Sequence, residues 1–97
     1  MDNKAAISAL SALAFETRLE AVQLLADVGD EGMSAGELAR RLNVTQNTLS
    51  DHLQTLARAD LVTAERQSRS IIYRINPAAC TRLLAHLQST CLKTRTS

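Results

Sequence analysis

Three consecutive residues, Ser50, Asp51 and His52, supply the side-chain types of a hydrolase triad. A triad works only if its members converge on one substrate atom. The leucine spacing around them predicts a helix, in which consecutive side chains point about 100° apart and therefore diverge. The sequence also lacks a glycine-rich phosphate loop and a paired metal-ligand spacing. We therefore expect neither enzymatic activity nor a cofactor or metal site.

The same segment, TQNTLSDHLQTLARADLV at residues 45–62, has an unusual face opposite its leucines. That face carries amides and hydroxyls, where a solvated helix usually carries lysine and glutamate. Amides and hydroxyls both donate and accept hydrogen bonds, which suits them to the base edges of the DNA major groove. The alternatives are a neutral surface helix that contacts nothing and, for His52, packing beside the turn or contact with the DNA backbone. The candidate DNA-contacting residues here are Thr45, Gln46, Asn47, Thr48, Ser50, His52 and Gln54.

Two predicted helices would position these residues. Ser34 and Glu37 are spaced as a capping box, which predicts a helix over residues 37–42. Thr45 can cap a second helix over residues 46–59. A turn of about three residues joins the two, which is the spacing of a helix-turn-helix. In that motif the second helix lies in the major groove, where its polar face meets the bases.

A β-hairpin is predicted after the second helix. Residues 61–75 contain two β-prone runs around the polar turn Gln67-Ser68-Arg69. Arg66 and Arg69 flank the tip of this hairpin, where they are placed to meet phosphates or the adjacent minor groove. The hairpin would then act as a wing beside the helix-turn-helix of residues 34–59.

A last helix is predicted over residues 77–92. Asn76 and Pro77 are a cap and a proline at the first helical position. Apolar residues then recur at the spacing of one helix face, and a chain of 97 residues cannot easily bury so long a face alone. We therefore expect this helix to pair with that of a second chain. The apolar stripe comprises Cys80, Leu83, Leu84, Leu87 and Cys91.

The remaining features describe one small helical domain, residues 1–97. Its hydrophobic content is 45%, with one tyrosine, one phenylalanine and no tryptophan, so the core is aliphatic. Apolar residues near the N-terminus, among them Ile7 and Leu10, predict two helices or one bent helix around a soft break at residues 15–17. No apolar run approaches the ~20 residues of a membrane span, and the N-terminus does not read as a secretory signal. We therefore expect a cytoplasmic protein.

Charge is unevenly distributed along the chain. Residues 1–33 contain two cations and six acids, whereas residues 34–75 contain six arginines and four acids. The remaining residues add three cations and no acid. The positive middle and end suit an anion-facing surface, although an ordinary solvated surface explains the same counts about as well.

Three segments together resemble the ArsR/SmtB family of arsenic- and metal-responsive winged-helix repressors. They are ALAFETRLEAVQLL at residues 12–25, the segment at 45–62 and ERQSRSIIYRI at residues 65–75, which are similar to the opening helix, the recognition helix and the wing. The resemblance implies a mainly α fold with a small β-hairpin wing and a homodimer paired through the first and last helices. Two-fold symmetry makes the operator palindromic. The resemblance also implies release from that operator when an inducer binds.

The known inducer sites of the family are not matched in this chain. The metal-thiolate pair would fall at Ser34 and Gly36, neither of which is a thiolate ligand. The zinc ligands on the last helix would fall near Pro77 and Ala79, which cannot bind zinc. The sequence therefore leaves the inducer unidentified.

The two cysteines are the remaining candidates for sensing. In an arsenic-binding subset that this chain resembles at its end, Cys91 matches the first cysteine, but Leu92 takes the second place. Cys80 and Cys91 would lie about 16 Å apart along one helix, so only a partner's helix could bring thiols together. Cys91, beside a basic tail with Lys93 and Arg95, is expected to be exposed and is the better candidate for a thiol sensor. Cys80 is expected to be a small buried hydrophobe.

These patterns predict a sequence-specific DNA-binding transcriptional regulator of the winged helix-turn-helix class. It would be a homodimeric repressor, released from its operator by an inducer such as a thiol-reactive arsenical or oxidant. The alternative is a winged-helix module that binds protein instead of DNA.

Overall fold

The computed structural model describes residues 1–92, so the basic tail with Lys93 and Arg95 lies outside the described residues. Within that range the chain forms five α-helices, one 3-10 turn and three short strands. None of these helices is long and apolar enough to cross a membrane. In chain order the elements are α1 Asn3–Leu13, α2 Glu16–Val28, a 3-10 turn Gly29–Glu31, β1 Met33–Ser34, α3 Ala35–Leu42, α4 Gln46–Arg58, β2 Val62–Gln67, β3 Ser70–Ile75 and α5 Pro77–Thr90.

The soft break near the N-terminus separates two helices. Phe15 is extended at φ −140° and ψ 129°, which ends the helical path between α1 and α2. Helix α1 packs inward through three alanines, whereas Ile7 and Leu10 are 63% and 41% exposed. The helical spacing of the apolar residues was predicted correctly, but the larger ones face away from the core of their own chain. The inward residues are Ala6, Ala9 and Ala12.

Helix α3 begins with half of the predicted capping box. The amide of Glu37 donates a hydrogen bond to Ser34 Oγ at 3.2 Å, as the spacing predicts. The Glu37 carboxylate does not reach back to the Ser34 amide; it pairs with Arg40 and Arg41 one turn later. The helix starts at Ala35, earlier than predicted, because the serine alone is a sufficient cap.

Two residues define the turn between α3 and α4, one by its backbone conformation and one by its side chain. Asn43 adopts the left-handed conformation at φ 57° and ψ 45°, which asparagine tolerates and which stops α3. Thr45 caps α4 by accepting a hydrogen bond from the Thr48 amide at 3.3 Å. Both helix ends agree with the prediction to within about one residue, which is the usual uncertainty of helix boundaries.

The strands form one antiparallel sheet in the order β1-β3-β2. Strand β2 pairs with β3 from Val62 opposite Ile75 to Gln67 opposite Ser70, which leaves a two-residue turn at the tip. Ser68, the first turn residue, has a positive φ of 59°, as two-residue hairpin turns require. The third strand, β1, was not predicted, because two residues are too few to show an alternating pattern.

Leucines from the helix-turn-helix form the centre of the core. Helix α4 contributes three fully buried leucines and contacts α1, α2, α3 and β2. Full burial of a leucine is favourable by roughly 1.5–3 kcal/mol relative to exposure, so this set fixes the orientation of α4. The fully buried large side chains are Leu25, Leu38, Leu49, Leu53, Leu56, Leu61 and Val62.

Helix α5 divides its apolar stripe between two environments. Leu83 is buried against the core, whereas Leu84 is 62% exposed. Asn76 precedes Pro77 at the predicted start, but its side chain donates to the Asp60 carbonyl at 2.8 Å and does not cap the helix. The prediction that this continuous stripe pairs with a second chain is therefore wrong in part, since Leu83 is buried within the chain itself.

Candidate nucleic-acid interface

Helix α4 turns its leucines inward and its amides outward. Asn47 and Gln54 are exposed and lie opposite the leucine face, since each residue advances about 100° around a helix. Asp51 is exposed on the same outward face, where its carboxylate would repel phosphate or accept a hydrogen bond from a cytosine amino group. The outward face is therefore rich in groups that can donate or accept hydrogen bonds and carries one acid.

Thr45 and Thr48 are exposed, but they bond to each other. The Thr45 hydroxyl accepts from the Thr48 amide and donates to Thr48 Oγ1 at 2.9 Å. Both residues lie at the start of α4, as the sequence predicts. The Thr45 hydroxyl is thereby used as donor and acceptor at the helix end, whereas the Thr48 hydroxyl keeps its own donor for another molecule.

A polar cleft of about 310 Å³ lies between the start of α3, the start of α4 and the wing. Gln46 and Ser50 line it from α4, and Arg69 lines it from the wing. Gln46 folds toward α3, because its Oε1 lies 3.5 Å from the position that a Cβ on Gly36 would occupy. The structure thus brings three of the predicted site residues together, on the flank of α4 that faces the wing.

His52 lies on the other flank of α4 and is partly buried. Its ring stacks against Phe15 with centroids 4.8 Å apart at an interplanar angle of 38°. The Arg18 guanidinium carbon lies 4.9 Å from the centroid of the same Phe15 ring. His52 therefore packs against the residue that separates α1 from α2, and not beside the helix-turn-helix turn. Sequence reasoning missed Phe15 and Arg18, although Phe15 is the one phenylalanine of the chain.

The wing exposes two arginines and uses a third to hold itself in place. Arg66 and Arg69 are exposed, on β2 and in the tip turn respectively. Arg74 is bonded on both sides: Nη1 lies 2.6 Å from Glu65 Oε1, and Nε donates to the Asp30 carbonyl at 2.8 Å. Arg74 therefore ties β3 to β2 and to the 3-10 turn, which limits the positions that the wing can take.

Arg58 is a further exposed cation that sequence reasoning did not assign. It ends α4, and its Nη2 donates to Thr55 Oγ1 at 3.3 Å. Asn47, Asp51, Gln54 and Arg58 recur at offsets of 0, 4, 7 and 11 residues, which places them on one helix face. This spacing was the signal that could have added Arg58 to the candidates.

Cys91 is exposed, as predicted, whereas Cys80, predicted to be a buried hydrophobe, is only partly buried. Cys80 is partly buried in α5, and Cys91 is exposed just after the helix ends. Cys91 Sγ lies 3.6 Å from Thr90 Oγ1. Among residues 1–92 no three histidine, cysteine or acidic side chains are grouped so that they could hold a metal ion.

Comparison with known proteins agrees with this geometry. A family described as helix-turn-helix domain matches residues 13–65, which run from the end of α1 through α4 into β2. The transcriptional activator HlyU of Vibrio cholerae is 37% identical over 71 residues, which cover 73% of this chain and 63% of HlyU. The chain thus spans less than two thirds of the length of that relative.

Solved structures show the same architecture. An ArsR-like transcriptional regulator from Rhodococcus sp. RHA1 is 31% identical with a TM-score of 0.78, over 89% of this chain and 78% of that one. The homodimeric winged helix-turn-helix DNA-binding domain Mb0332 from Mycobacterium bovis has a TM-score of 0.73, over 94% of this chain and 89% of that one. Mb0332 is 24% identical, so it supports the fold alone. The predicted mainly α fold with a β-hairpin wing is confirmed, and the chain belongs to the ArsR family of winged helix-turn-helix, DNA-binding transcriptional regulators.

Proposed function

We propose that the chain is a homodimeric repressor that recognises a palindromic operator through the polar face of α4. The observation that carries this proposal is the juxtaposition of an amide-rich, exposed helix face with a wing that carries exposed Arg66 and Arg69. Amides specify bases, whereas arginines on the wing hold the phosphate backbone. Because HlyU is named an activator, activation is the alternative, and transcript levels in a strain that lacks the gene distinguish the two.

The contacts divide between the outward face and the wing-side flank of α4. Asn47 and Gln54 point away from the core, so their amides would lie deepest in the groove. An asparagine or glutamine amide can bond to adenine N6 and N7 together. Gln46 and Ser50 line the cleft beside the wing, where they would contact the edge of the groove or its backbone.

Replacing Asn47 with alanine should weaken binding to the operator by about 1–3 kcal/mol and leave binding to shuffled DNA almost unchanged. Replacing Arg69 with glutamine should weaken binding to the operator and to shuffled DNA alike. It should also make the slope of log affinity against log salt shallower, by about 0.9 for each lost phosphate contact. Fluorescence anisotropy with both duplexes at several salt concentrations measures these effects. Equal losses on both duplexes from both variants would defeat the division of roles.

Exposed apolar side chains on α1 and α5 support the dimer. Ile7, Leu10 and Leu84 are 63%, 41% and 62% exposed, and α1 packs against α5 in the same chain. A second copy related by a two-fold axis would cover the same patch on both chains. Two recognition helices would then meet two half-sites of one operator.

A thiol-reactive inducer would act through Cys91 at the end of α5. Cys91 is exposed beside a helix assigned to the dimer, so a modified thiol there can change the spacing of the two recognition helices. We expect arsenite or peroxide to release the parent protein from its operator but to leave the Cys91→Ser variant bound. Cys80→Ser is the matched control and should be released like the parent. If Cys91→Ser dissociates like the parent, Cys91 is not the sensor.

A further inference from the structure

A cation and two rings form a cluster on the flank of α4 that faces away from the wing. Phe15 contacts both His52 and Arg18, and the two short distances together place the guanidinium within about 10 Å of the imidazole. Ser50 and His52 lie on opposite sides of the leucine face, because each residue advances about 100° around the helix. The cleft with Arg69 is on the Ser50 side, so the cluster occupies the other flank of the same helix.

Arg18 packs on Phe15 but forms no ion pair with an acid in the described part of the chain. None of the ion pairs within residues 1–92 includes Arg18. Its Nε is buried and has no hydrogen-bond partner in this range. Burial of Nε without a hydrogen bond costs stability, and no acid of the described residues pairs with the partly exposed charge, so this cation needs an explanation. An anion from outside the chain supplies one.

A helix in the major groove has a phosphate backbone on each side. The groove is roughly 12 Å wide, and a helix with its side chains is about 10–12 Å across. In the proposed complex, Arg66 and Arg69 of the wing contact one of these two backbones. Phe15 is 49% exposed, so the opposite flank also opens to solvent at the cluster.

We propose that Arg18 binds a DNA phosphate on the flank of the recognition helix opposite the wing, and that Phe15 positions it there. The Phe15 ring contacts both the Arg18 guanidinium and the His52 imidazole, so it links the cation to a residue of α4. The inference rests on the proposed DNA-binding function and adds a second backbone contact to it. The recognition helix would then be clamped from both sides by cations from different elements.

The salt dependence of DNA binding tests this contact. Arg18→Gln should lower affinity for operator and shuffled duplexes alike, by about tenfold, because a charge-assisted hydrogen bond is lost. The slope of log affinity against log salt should fall by about 0.9 per protomer, hence about 1.8 for a dimer. Arg69→Gln, on the wing, sets the reference for one lost phosphate contact. Lys4→Gln removes one cation at the far end of α1 and should leave the slope unchanged.

The outcomes separate this inference from the proposed function. If the parent protein does not bind duplex DNA, the proposed function fails. If the parent binds and Arg69→Gln lowers the slope but Arg18→Gln keeps the slope of the parent, only the Arg18 contact fails. Urea unfolding of each variant shows whether the fold is retained.

A footprint on the parent protein covers the case in which Arg18→Gln does not fold. Phenylglyoxal modifies accessible arginines, and mass spectrometry reports the rate at each position. Operator DNA should slow modification of Arg18 and Arg69, while Arg82 on α5 should react at the same rate with and without DNA. Protection of Arg69 with no protection of Arg18 would overturn the proposal.

Discussion

Replacing Leu53 with alanine is expected to lower the free energy of unfolding by about 2–5 kcal/mol, one of the two largest effects we expect from a single change. Leu53 is fully buried in the middle of α4, between Leu49 and Leu56, which are fully buried as well. The change removes buried apolar atoms and leaves a cavity that the surrounding helices cannot fully close. Urea unfolding followed by circular dichroism measures the loss.

The matched control for this position keeps the side-chain volume. Leu53→Met should cost less than about 1.5 kcal/mol, because methionine fills nearly the same space. DNA affinity should fall with Leu53→Ala and be nearly retained with Leu53→Met, because the buried leucines of α4 fix the direction of its polar face. A loss below about 1 kcal/mol for Leu53→Ala would show that the leucine face does not anchor the helix.

Replacing Gly32 with alanine is expected to destabilise the fold by about 2 kcal/mol or more and to displace the wing. Gly32 has a positive φ of 66°, and a Cβ there would lie 2.6 Å from the Tyr73 carbonyl oxygen, 2.7 Å from Arg74 Cγ and 2.9 Å from Ile72 Cγ2. The backbone oxygen cannot move without moving β3. Because β3 is the central strand of the sheet, the displacement reaches the wing arginines.

Gly29 offers a control that shares the backbone strain but not the close approach. Its φ is 63°, yet a Cβ there would meet nothing within 4 Å. Gly29→Ala should therefore cost only the backbone strain of φ 63° with ψ −137°, about 1–3 kcal/mol, and less than Gly32→Ala. It should also keep the DNA affinity of the parent, whereas Gly32→Ala should lose affinity at every sequence. If the two variants had equal effects on stability and on DNA binding, contact of a Cβ at position 32 with β3 would not be the cause of the loss.

The helix-turn-helix could be predicted because its determinants are local. Ser34, Asn43 and Thr45 each set a helix end through their own side chain or backbone preference, and the structure shows all three in these roles. The hairpin was predictable for the same reason, since two β-prone runs flank a short polar turn. Most features that depend on residues within a few positions of each other were read correctly from the sequence; the exceptions are the return bond of Glu37 in the capping box and the cap by Asn76, whose side chains take other partners.

Features that depend on residues far apart in the chain could not be predicted. Strand β1 exists only because Met33 meets Tyr73 across the sheet, forty positions away. Phe15 meets His52 for a similar reason, so neither Phe15 nor Arg18 was assigned to the site. The outward position of Ile7 follows from packing of the alanine face of α1, which periodicity alone does not distinguish from packing of a larger face.

Binding of the parent protein to duplex DNA tests the central claim most directly. The protein is titrated at physiological salt against the promoter of its own operon and against a shuffled duplex of equal length and composition. We predict two chains per site, an affinity for the promoter at least about 10³-fold greater than for the shuffled duplex, and a log affinity that falls linearly with log salt concentration. Equal affinity for the two duplexes, or no binding to either, would contradict a sequence-specific regulator that reads DNA through α4 and its wing.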